Sequence, residues 1–299
     1  MRLLRPFSLR SVTGGRLLGL IARPHTTGPH PVVFVIPGAL GSGFRMAAGA
    51  GAAELVAAGI AVVGFNAAGR GRGRPWDPRS TGVPGLNGPT DQDDLAAVIR
   101  WVAGRRWSDA SILGIASVSY GLVAATGCLA RHPDLPVDYL IDEEGPSDRY
   151  AAMLRAWSLA TVDGPDWPQR AAELFGVTTA NDEFWGVREP IRTIGCFRGR
   201  YLRLQATFDH VQPPRSAGHI PLFHRPPEWW HNKHALDLIN AAVDGGVPWS
   251  RINLPAQGNP SQLSVSHDSP PRWLSGSMED HPRAWIEAVR ELTGRGTPS

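Results

Sequence analysis

The sequence has 299 residues and a formal net charge of +3, and 42% of its residues are hydrophobic while 19% are charged. These values describe a globular protein with a full core, and the scattered arginines form no basic helix, so nucleic acid is not an expected partner. No apolar run is long enough for a membrane span or a signal peptide, which predicts a cytoplasmic protein without a membrane partner.

The two cysteines, Cys128 and Cys196, show no CxxC or mixed Cys/His spacing and therefore predict no zinc site. Both have apolar neighbours, so we expect two buried thiols rather than a disulfide. His231 and His234 lie three residues apart on a predicted helix, but no third ligand is near them in the sequence. We therefore expect neither a metal ion nor a cofactor.

The predicted elements begin with a β-hairpin over residues 7–23. The continuous apolar run 32–36 is typical of a strand buried on both faces of a parallel sheet. A helix over 54–58 and a second buried strand over 60–65 follow. The glycines of 66–74 have the spacing of a dinucleotide-binding turn, but prolines rather than a helix come next, so we interpret this segment as a flexible surface loop.

A glycine-rich loop, residues 37–43, follows the first buried strand. It lacks the Lys-Ser/Thr pair of a phosphate-binding loop. Such a loop can instead present backbone N–H groups to a developing oxyanion, with Ala39 or Leu40 as the donor. A plain tight turn is the alternative interpretation.

A helix is predicted over residues 91–103, with Thr90 as its N-cap and three aspartates near its start, where the helix dipole favours them. The apolar residues with helical spacing are Leu95, Val98, Ile99 and Val102. We expect them to form the buried face of this helix.

An apolar strand changes into a helical run at Ser119, which has small residues on both sides. A sharp strand-to-helix turn needs such neighbours, because its central residue is held in a strained conformation that exposes the side chain. The usual pattern is Gly-x-Ser-x-Gly, the nucleophile elbow; here Ser117 replaces the first glycine and Gly121 supplies the second. We interpret Ser119 as a candidate nucleophile, with a plain turn serine as the alternative.

Residues 147–198 interrupt the alternation of strands and helices. An insertion of this kind usually packs over a site, so we expect a helical cap whose tryptophans, Trp185 among them, mostly form its own core. No linker divides the chain, which predicts a single domain over residues 1–299.

The remaining predicted elements are strands over 137–141, 201–207 and 251–254 and helices over 228–243 and 282–292. Polar residues follow each of these strands. Glu143 and Glu144 come after the first, Asp209 comes after the second, and His267 lies in the long loop after the third. The candidate residues thus occur in the chain order Ser, Asp, His.

With these pieces in this order, the chain resembles the α/β-hydrolase superfamily over essentially its whole length. The matching segments are 36–40, 117–121, 209–214 and His267, and their Ser-Tyr-Gly and Asp-x-Val-x-Pro forms are most similar to the dienelactone-hydrolase and prolyl-oligopeptidase branches. The resemblance implies an α/β-hydrolase fold, a mostly parallel central sheet flanked by helices with a helical cap insertion.

The resemblance also implies a catalytic triad. Ser119 would attack a carbonyl carbon, His267 would act as general base and acid, and Asp209 would orient the imidazole. The backbone N–H of Tyr120 and that of Ala39 or Leu40 would bind the oxyanion.

Two alternative residues remain open for the acid, and two for the base. Glu143 or Glu144 also follows a strand and could supply the acid or face a cationic or polyol substrate. His281, near the final helix, and His210, beside Asp209, are the other candidate bases, and we favour His267 over both.

We expect a cofactor-free serine hydrolase that acts on a small-molecule carboxylic ester through an acyl-enzyme. A peptidase or thioesterase with the same triad is the alternative enzyme, and a non-catalytic binding protein is the alternative of another class. The acyl-chain preference and the oligomeric state cannot be inferred from the spacing of residues.

Overall fold

The computed structural model describes residues 2–38, 41–149, 151–152, 176–177, 180–208, 227–253 and 273–295. Its strands are β1 (Arg2–Arg10), β2 (Arg16–Pro24), β3 (His30–Ile36), β4 (Ala61–Asn66), β5 (Ser108–Val118), β6 (Tyr139–Glu143), β7 (Arg200–Leu204), β8 (Ala206–Phe208), β9 (Trp249–Ile252) and β10 (Leu274–Ser277). Its helices are α1 (Gly43–Ala48), α2 (Ala50–Ala57), α3 (Pro89–Ala103), α4 (Gly121–Arg131), α5 (Asp182–Gly186), α6 (Pro190–Thr193), α7 (Pro227–Asp244) and α8 (Ala284–Leu292). None of the helices in these described ranges has both the length and the apolarity to cross a membrane.

The central sheet has eight strands in the order β1-β2-β4-β3-β5-β6-β7-β9. The β1–β2 hairpin is antiparallel and joins β4 in antiparallel fashion, whereas all pairs from β4 to β9 are parallel. This confirms the predicted hairpin and the mostly parallel sheet. Strand β8 leaves the sheet and pairs with β10, a strand that the sequence pattern did not predict.

Helices cover both faces of the sheet. The residues of α3, α4 and α7 form one apolar core with one face, and those of α1, α2 and α8 form a second core with the other face. The predicted buried stripe of α3 is confirmed, because Leu95, Val98, Ile99 and Val102 are all buried. Burial on both faces explains why strands such as β3 and β4 are continuous apolar runs.

Three local predictions were wrong. The helix expected over 54–58 begins much earlier, as α1 and α2, because the glycine at residue 43 lets the α1 backbone lie directly on β4. The N-cap of α3 is Gly88 rather than Thr90, because Pro89 already occupies the first helical turn. Cys128 is buried as predicted, but Cys196 is exposed in a short 3-10 turn at the surface.

The acidic start of α3 also does more than complement the helix dipole. The Asp94 carboxylate is fully buried and accepts hydrogen bonds from the Ser11 hydroxyl at 2.9 Å and from the Val12 N–H at 2.8 Å. Burial raises the pKa of the Asp94 carboxyl, opposed by these two hydrogen bonds. The turn of the β1–β2 hairpin is therefore fastened to α3.

The segment after β4, which we expected to be a flexible surface loop, is held by buried polar side chains. The Asn66 amide donates to Asp77 Oδ1 at 3.0 Å and to the Pro78 carbonyl at 2.7 Å. The Ser80 hydroxyl donates to the Asn66 carbonyl at 2.6 Å, and Ser42 Oγ donates to Asp77 Oδ1 at 2.6 Å. Asn66, Asp77 and Ser80 are each nearly inaccessible to solvent, so the ends of this loop are anchored in the packed structure, whereas residues 72–76 between them are exposed as expected.

Replacing Asn66 with alanine should lower the free energy of unfolding by about 1–3 kcal/mol, because the Asp77 carboxylate and the Pro78 carbonyl lose a buried donor. Urea unfolding followed by circular dichroism measures this change. Asn240→Ala, at a half-buried position inside α7, is the matched control and should change stability little, since alanine favours helices. Equal losses in both variants would contradict the proposed anchoring of the loop.

Candidate active site

Ser119 lies at the sharp turn between β5 and α4. Its φ angle is 52°, in the left-handed region that is costly for a residue with a side chain. The Ser119 N–H donates to the Glu143 carbonyl at 2.8 Å, and the Ser119 carbonyl accepts from the Leu122 N–H at 3.0 Å. The structure therefore has the strained strand-to-helix turn that the sequence predicted, with Ser119 at its centre.

Glycines allow the backbone to pack closely around this turn. A Cβ atom on Gly121 would lie 2.7 Å from the carbonyl oxygens of both Ile36 and Pro37. A Cβ atom on Gly38 would lie 3.3 Å from Ser119 Cβ and 3.7 Å from Ser119 Oγ. The loop after β3 thus passes directly beside the Ser119 hydroxyl, where an oxyanion loop is needed.

Ser117 takes the first small position of the motif without difficulty. It is paired within the sheet, between Ile36 of β3 and Asp142 of β6, and its hydroxyl donates to the Ile141 carbonyl at 3.1 Å. Because regular strand geometry needs no glycine, a serine with a satisfied hydroxyl serves here.

Tyr120, whose N–H is a predicted oxyanion donor, is buried at the start of α4. Its carbonyl accepts a hydrogen bond from the Asn87 side-chain amide at 2.5 Å. Its phenol donates to the Leu86 carbonyl at 3.4 Å, and burial raises the pKa of this phenol well above its usual value, opposed by the charges of Arg188 and Arg70. Tyr120 is thus a neutral residue that is held by its neighbours.

Asn87 connects this turn to a buried charge pair. Its φ is 59°, its N–H donates to Asp91 Oδ2 at 2.8 Å, and its carbonyl accepts from Gln92 at 3.0 Å. The guanidinium of Arg70 donates to Asn87 Oδ1 at 2.6 Å and lies 3.7 Å from Asp91 Oδ2. Burial raises the pKa of the Asp91 carboxyl, and the positive charge of Arg70 opposes this effect.

The described end of the insertion docks on the same region. Trp185 is fully buried and packs with Tyr120, Val123 and Ala152. Arg188 donates to the Gly85 carbonyl at 3.0 Å. Trp185 therefore joins the insertion to the apolar cluster that contains Tyr120, and the other insertion tryptophans, Trp157 and Trp167, lie outside the described residues.

The two alternative acids differ in their surroundings. Glu143 is the last residue of β6 and borders a cavity of about 190 Å³ that Met46, His281 and Trp285 also line. Glu144 is buried with a φ of 50°, and its Oε1 accepts from the Gln205 amide and from the Ala206 N–H, both at 3.3 Å. The Glu144 carboxylate is therefore bound to the residues that follow β7.

Several predicted site residues lie outside the described residues: Asp209, His267, Ala39, Leu40 and His210. Their roles stay predictions. The alternative base His281 lies just before α8, where its Nε2 is 2.7 Å from the Ser275 carbonyl oxygen. Among the described residues, no three His, Cys, Asp or Glu side chains are grouped as a metal site requires.

A fully buried ion pair at the same edge of the sheet was missed in the sequence. Asp142 of β6 and Arg203 of β7 are paired across the two strands, and Arg203 Nη1 donates to Asp142 Oδ2 at 2.6 Å. The Tyr201 hydroxyl donates to the same oxygen at 2.8 Å. The sequence did contain an indication of this pair. Oppositely charged residues near the ends of two buried strands indicate an ion pair rather than two exposed groups, because a lone charge is costly to bury.

The comparisons with known proteins identify a family and a fold for this chain. The sequence model of a family described as X-Pro dipeptidyl-peptidase (S15 family) matches residues 14–209, from the hairpin to the predicted acid. No curated protein matches the chain by sequence.

Solved structures similar to the chain include peptidases and esterases. An acylaminoacyl peptidase from Pyrococcus horikoshii has a TM-score of 0.61 at 14% identity, over 98% of this chain and 41% of its own. An esterase from Pyrococcus furiosus has a TM-score of 0.63 at 12% identity, over 99% of this chain and 93% of its own. Acetyl xylan esterase 1 from Thermoanaerobacterium sp. has a TM-score of 0.58 at 17% identity, over 97% of this chain and 84% of its own.

These identities are low enough that the likeness shows the fold alone, and that fold is the α/β-hydrolase fold. Among the similar structures, the chain spans 32–43% of the length of four peptidases and 76–93% of the length of three esterases. The predicted fold class is thereby confirmed.

Ser119→Gly should be more stable than Ser119→Ala by about 1 kcal/mol, because both remove the hydroxyl but only glycine relieves the left-handed backbone. Thermal unfolding of the two variants measures the difference. At the exposed strand residue Ser111, the same pair of changes should have the opposite order, since glycine weakens a strand. Equal stabilities at Ser119 would show that this turn stores no strain.

Gly121→Ala should lower the free energy of unfolding by about 1–3 kcal/mol, because the new methyl group meets two backbone carbonyls that cannot move aside. The control is Gly104→Ala, at an exposed helix end where the nearest atom to a new Cβ is 3.7 Å away. Urea unfolding compares the two. A stable Gly121→Ala protein would contradict the close approach of α4 to the end of β3.

Proposed function

Since the chain belongs to the S15 family described as X-Pro dipeptidyl-peptidase, and is therefore a hydrolase of the serine peptidase and esterase superfamily, we propose that it cleaves a small-molecule carboxylic ester. In this proposal Ser119 is the nucleophile, and the reaction passes through an acyl-enzyme on its hydroxyl. The observation that carries the proposal is the strained turn at Ser119, since a φ of 52° at a non-glycine residue needs a reason and presentation of a nucleophile is one.

In the proposed acylation, Ser119 Oγ attacks the ester carbonyl carbon and the imidazole of His267 takes the serine proton. The carbonyl oxygen becomes an oxyanion, which the N–H of Tyr120 and that of Ala39 or Leu40 bind. When the C–O bond breaks, His267 returns the proton to the leaving alkoxide. Asp209 holds the imidazole in the correct tautomer and stabilises its charged form.

Deacylation repeats the same steps with water as the nucleophile. His267 removes a proton from water, the hydroxide attacks the acyl carbon, and the proton returns to Ser119 Oγ as the acid product leaves. No cofactor is part of the proposed reaction, because every proton and electron pair is supplied by the protein, the ester and water.

The surroundings of Ser119 support the oxyanion part of the proposal. Gly38 lies beside the Ser119 side chain, so the residues that follow it in sequence, Ala39 and Leu40, are suited to donate to an oxygen near Ser119. Tyr120 is held by the hydrogen bond from Asn87 to its carbonyl and by the apolar cluster that it shares with Trp185 of the insertion. Donors held in place before the reaction stabilise an oxyanion best.

We also propose that the insertion over 147–198 is a cap on this site. The apolar cluster that Trp185 shares with Tyr120 and the hydrogen bond from Arg188 to the Gly85 carbonyl support this proposal, because they join the end of the insertion to the elbow and to the loop before α3. A cap of this kind would exclude water and shape the pocket for the acyl and leaving groups.

A second candidate function is hydrolysis of an X-Pro peptide bond, which the description of the matching family model favours. The same triad attacks amides and thioesters, so the site geometry permits both. A binding protein without turnover is the remaining alternative, because a fold does not determine a function.

Ser119→Ala should abolish labelling by an active-serine fluorophosphonate probe and reduce the hydrolysis of p-nitrophenyl esters by at least about 10³-fold, because the nucleophile is lost. A series of p-nitrophenyl esters of increasing chain length, run beside Ala-Pro-p-nitroanilide, separates esterase from dipeptidyl-peptidase activity. Wild-type protein that reacts with the probe but prefers the anilide would replace the ester proposal with the peptidase. Protein that neither reacts with the probe nor hydrolyses either substrate would contradict both.

The acid can be assigned with the same assay. Asp209→Asn should reduce kcat by about 10²–10⁴-fold, because the base then loses its orienting carboxylate. Glu143→Gln and Glu144→Gln, the matched carboxylate-to-amide changes, should keep most of the activity. An inactive Glu143→Gln or Glu144→Gln beside an active Asp209→Asn would move the acid to the end of β6.

A further inference from the structure

Gln205 lies at the point where the chain leaves the central sheet. It follows the last residue of β7 and precedes β8, which pairs with β10 instead of the main sheet. Its position is therefore a junction between the sheet and the segment that continues, four residues later, to the predicted acid Asp209.

The backbone of Gln205 is bound by two other parts of the chain. The side-chain amide of Asn253 accepts from the Gln205 N–H at 2.9 Å and donates to the Gln205 carbonyl at 2.9 Å. The Leu274 N–H donates to the same carbonyl at 3.1 Å. Asn253 directly follows β9 with a φ of 59°, and Leu274 begins β10, so these two residues bracket the sequence that contains His267.

The side chain of Gln205 is bound as firmly as its backbone. Its Oε1 accepts from Arg203 Nε at 3.1 Å and from Arg203 Nη2 at 2.6 Å. Its amide nitrogen donates to Glu144 Oε1 at 3.3 Å and to the Ala206 carbonyl at 3.2 Å. A buried glutamine with all of these contacts has one allowed orientation.

Arg203 holds the side chain of Gln205 and is itself fixed by buried hydrogen bonds. Its guanidinium is completely buried, and Nη1 donates to Asp142 Oδ2 at 2.6 Å and to the Gly145 carbonyl at 2.8 Å. Together with the two bonds to Gln205 and a 3.4 Å contact from Nη2 to His234 Nδ1, these partners account for all five N–H donors of the group. A planar guanidinium group whose N–H donors all have partners cannot rotate without breaking a buried hydrogen bond.

From these contacts we propose that Arg203 and Gln205 are positioning residues for the hydrolytic reaction. They set where the chain continues to Asp209, because Gln205 itself begins that segment. They also set where the chain departs and returns around His267, because Gln205 binds Asn253 before that segment and Leu274 after it. This inference rests on the proposed function. It adds how the acid Asp209 and the base His267 would be positioned relative to each other. Small errors in such placement are costly, since a misplacement of about 1 Å can reduce a rate by about 10²-fold.

The test compares variants that loosen this junction without touching Ser119. Asn253→Gly keeps the left-handed backbone and removes both bonds to Gln205, and Arg203→Lys keeps the charge beside Asp142 but loses the fork that holds Gln205. The control is Arg200→Lys, three positions earlier on β7, where the guanidinium forms a part-exposed pair with Asp138. Each protein is first checked by near-ultraviolet circular dichroism.

Both variants should react with the fluorophosphonate probe and hydrolyse p-nitrophenyl acetate about 10²-fold more slowly than wild type, with the loss in kcat rather than KM. The acidic limb of the pH profile should also move to lower pH, because a base that is displaced from its carboxylate is less easily protonated. Arg200→Lys should match wild type in rate and in pH profile. A purely structural role of Arg203 would lower the melting temperature but leave the pH profile unmoved.

The outcomes distinguish this inference from the proposed function. Wild-type protein that is not labelled at Ser119 would contradict the proposed function and, with it, this inference. If the wild-type protein is labelled, and the folded Asn253→Gly or Arg203→Lys variant hydrolyses the ester as fast as wild type, this inference is wrong. The proposed function would still stand. If Asn253→Gly loses its near-ultraviolet signal, Asn253→Asp decides in the same way, because it keeps the acceptor for the Gln205 N–H and removes the donor to the Gln205 carbonyl.

Discussion

The left-handed backbone of Ser119 is the constraint on which the rest of this edge of the molecule depends. A side chain at a φ of 52° persists only where the surroundings hold it. Here the Ser119 N–H is bound to the end of β6, and α4 approaches the end of β3 so closely that residue 121 must be glycine. The carboxyl ends of β3, β5 and β6 are therefore joined at this turn. The loop after β3 is also brought beside the Ser119 side chain.

A single row of the sheet lies directly below that turn. It runs in register through Ile36, Ser117, Asp142, Arg203 and Ile252, one residue from each of five neighbouring parallel strands. Its centre is polar, and the buried Asp142–Arg203 pair adds little to stability by itself, since the cost of removing both charges from water offsets their attraction. What the pair adds is a fixed orientation, because a fully bonded guanidinium allows only one arrangement of the strand ends around it.

Most of the fold could be predicted because it follows from local patterns. Continuous apolar runs predicted β3 and β4, helical spacing predicted α3, and small residues around Ser119 predicted its turn. The errors occurred where a residue depends on a distant partner. Asn66 was assigned to a surface loop because its partner Asp77 is not visible in a local pattern, and the Asp142–Arg203 pair was missed because its two residues are far apart in the sequence. For the same reason the pairing of Asp209 with His267 stays a prediction, since spacing along the chain gives their order but not their distance.

The edges of the central sheet have a consequence for behaviour in concentrated solution. An open edge offers unpaired N–H and C=O groups to which another chain can add, and this is a common route to aggregation. One edge strand, β1, carries Pro6 near its middle, which cannot donate to a neighbour, and its sequence contains three arginines that repel a second copy. Within the part of the chain that the structure describes, the opposite edge strand is β9, which has four residues. Parallel pairing between distant segments is in general a slow step of folding, and in this sheet the parallel strands lie between two edge strands that discourage intermolecular pairing.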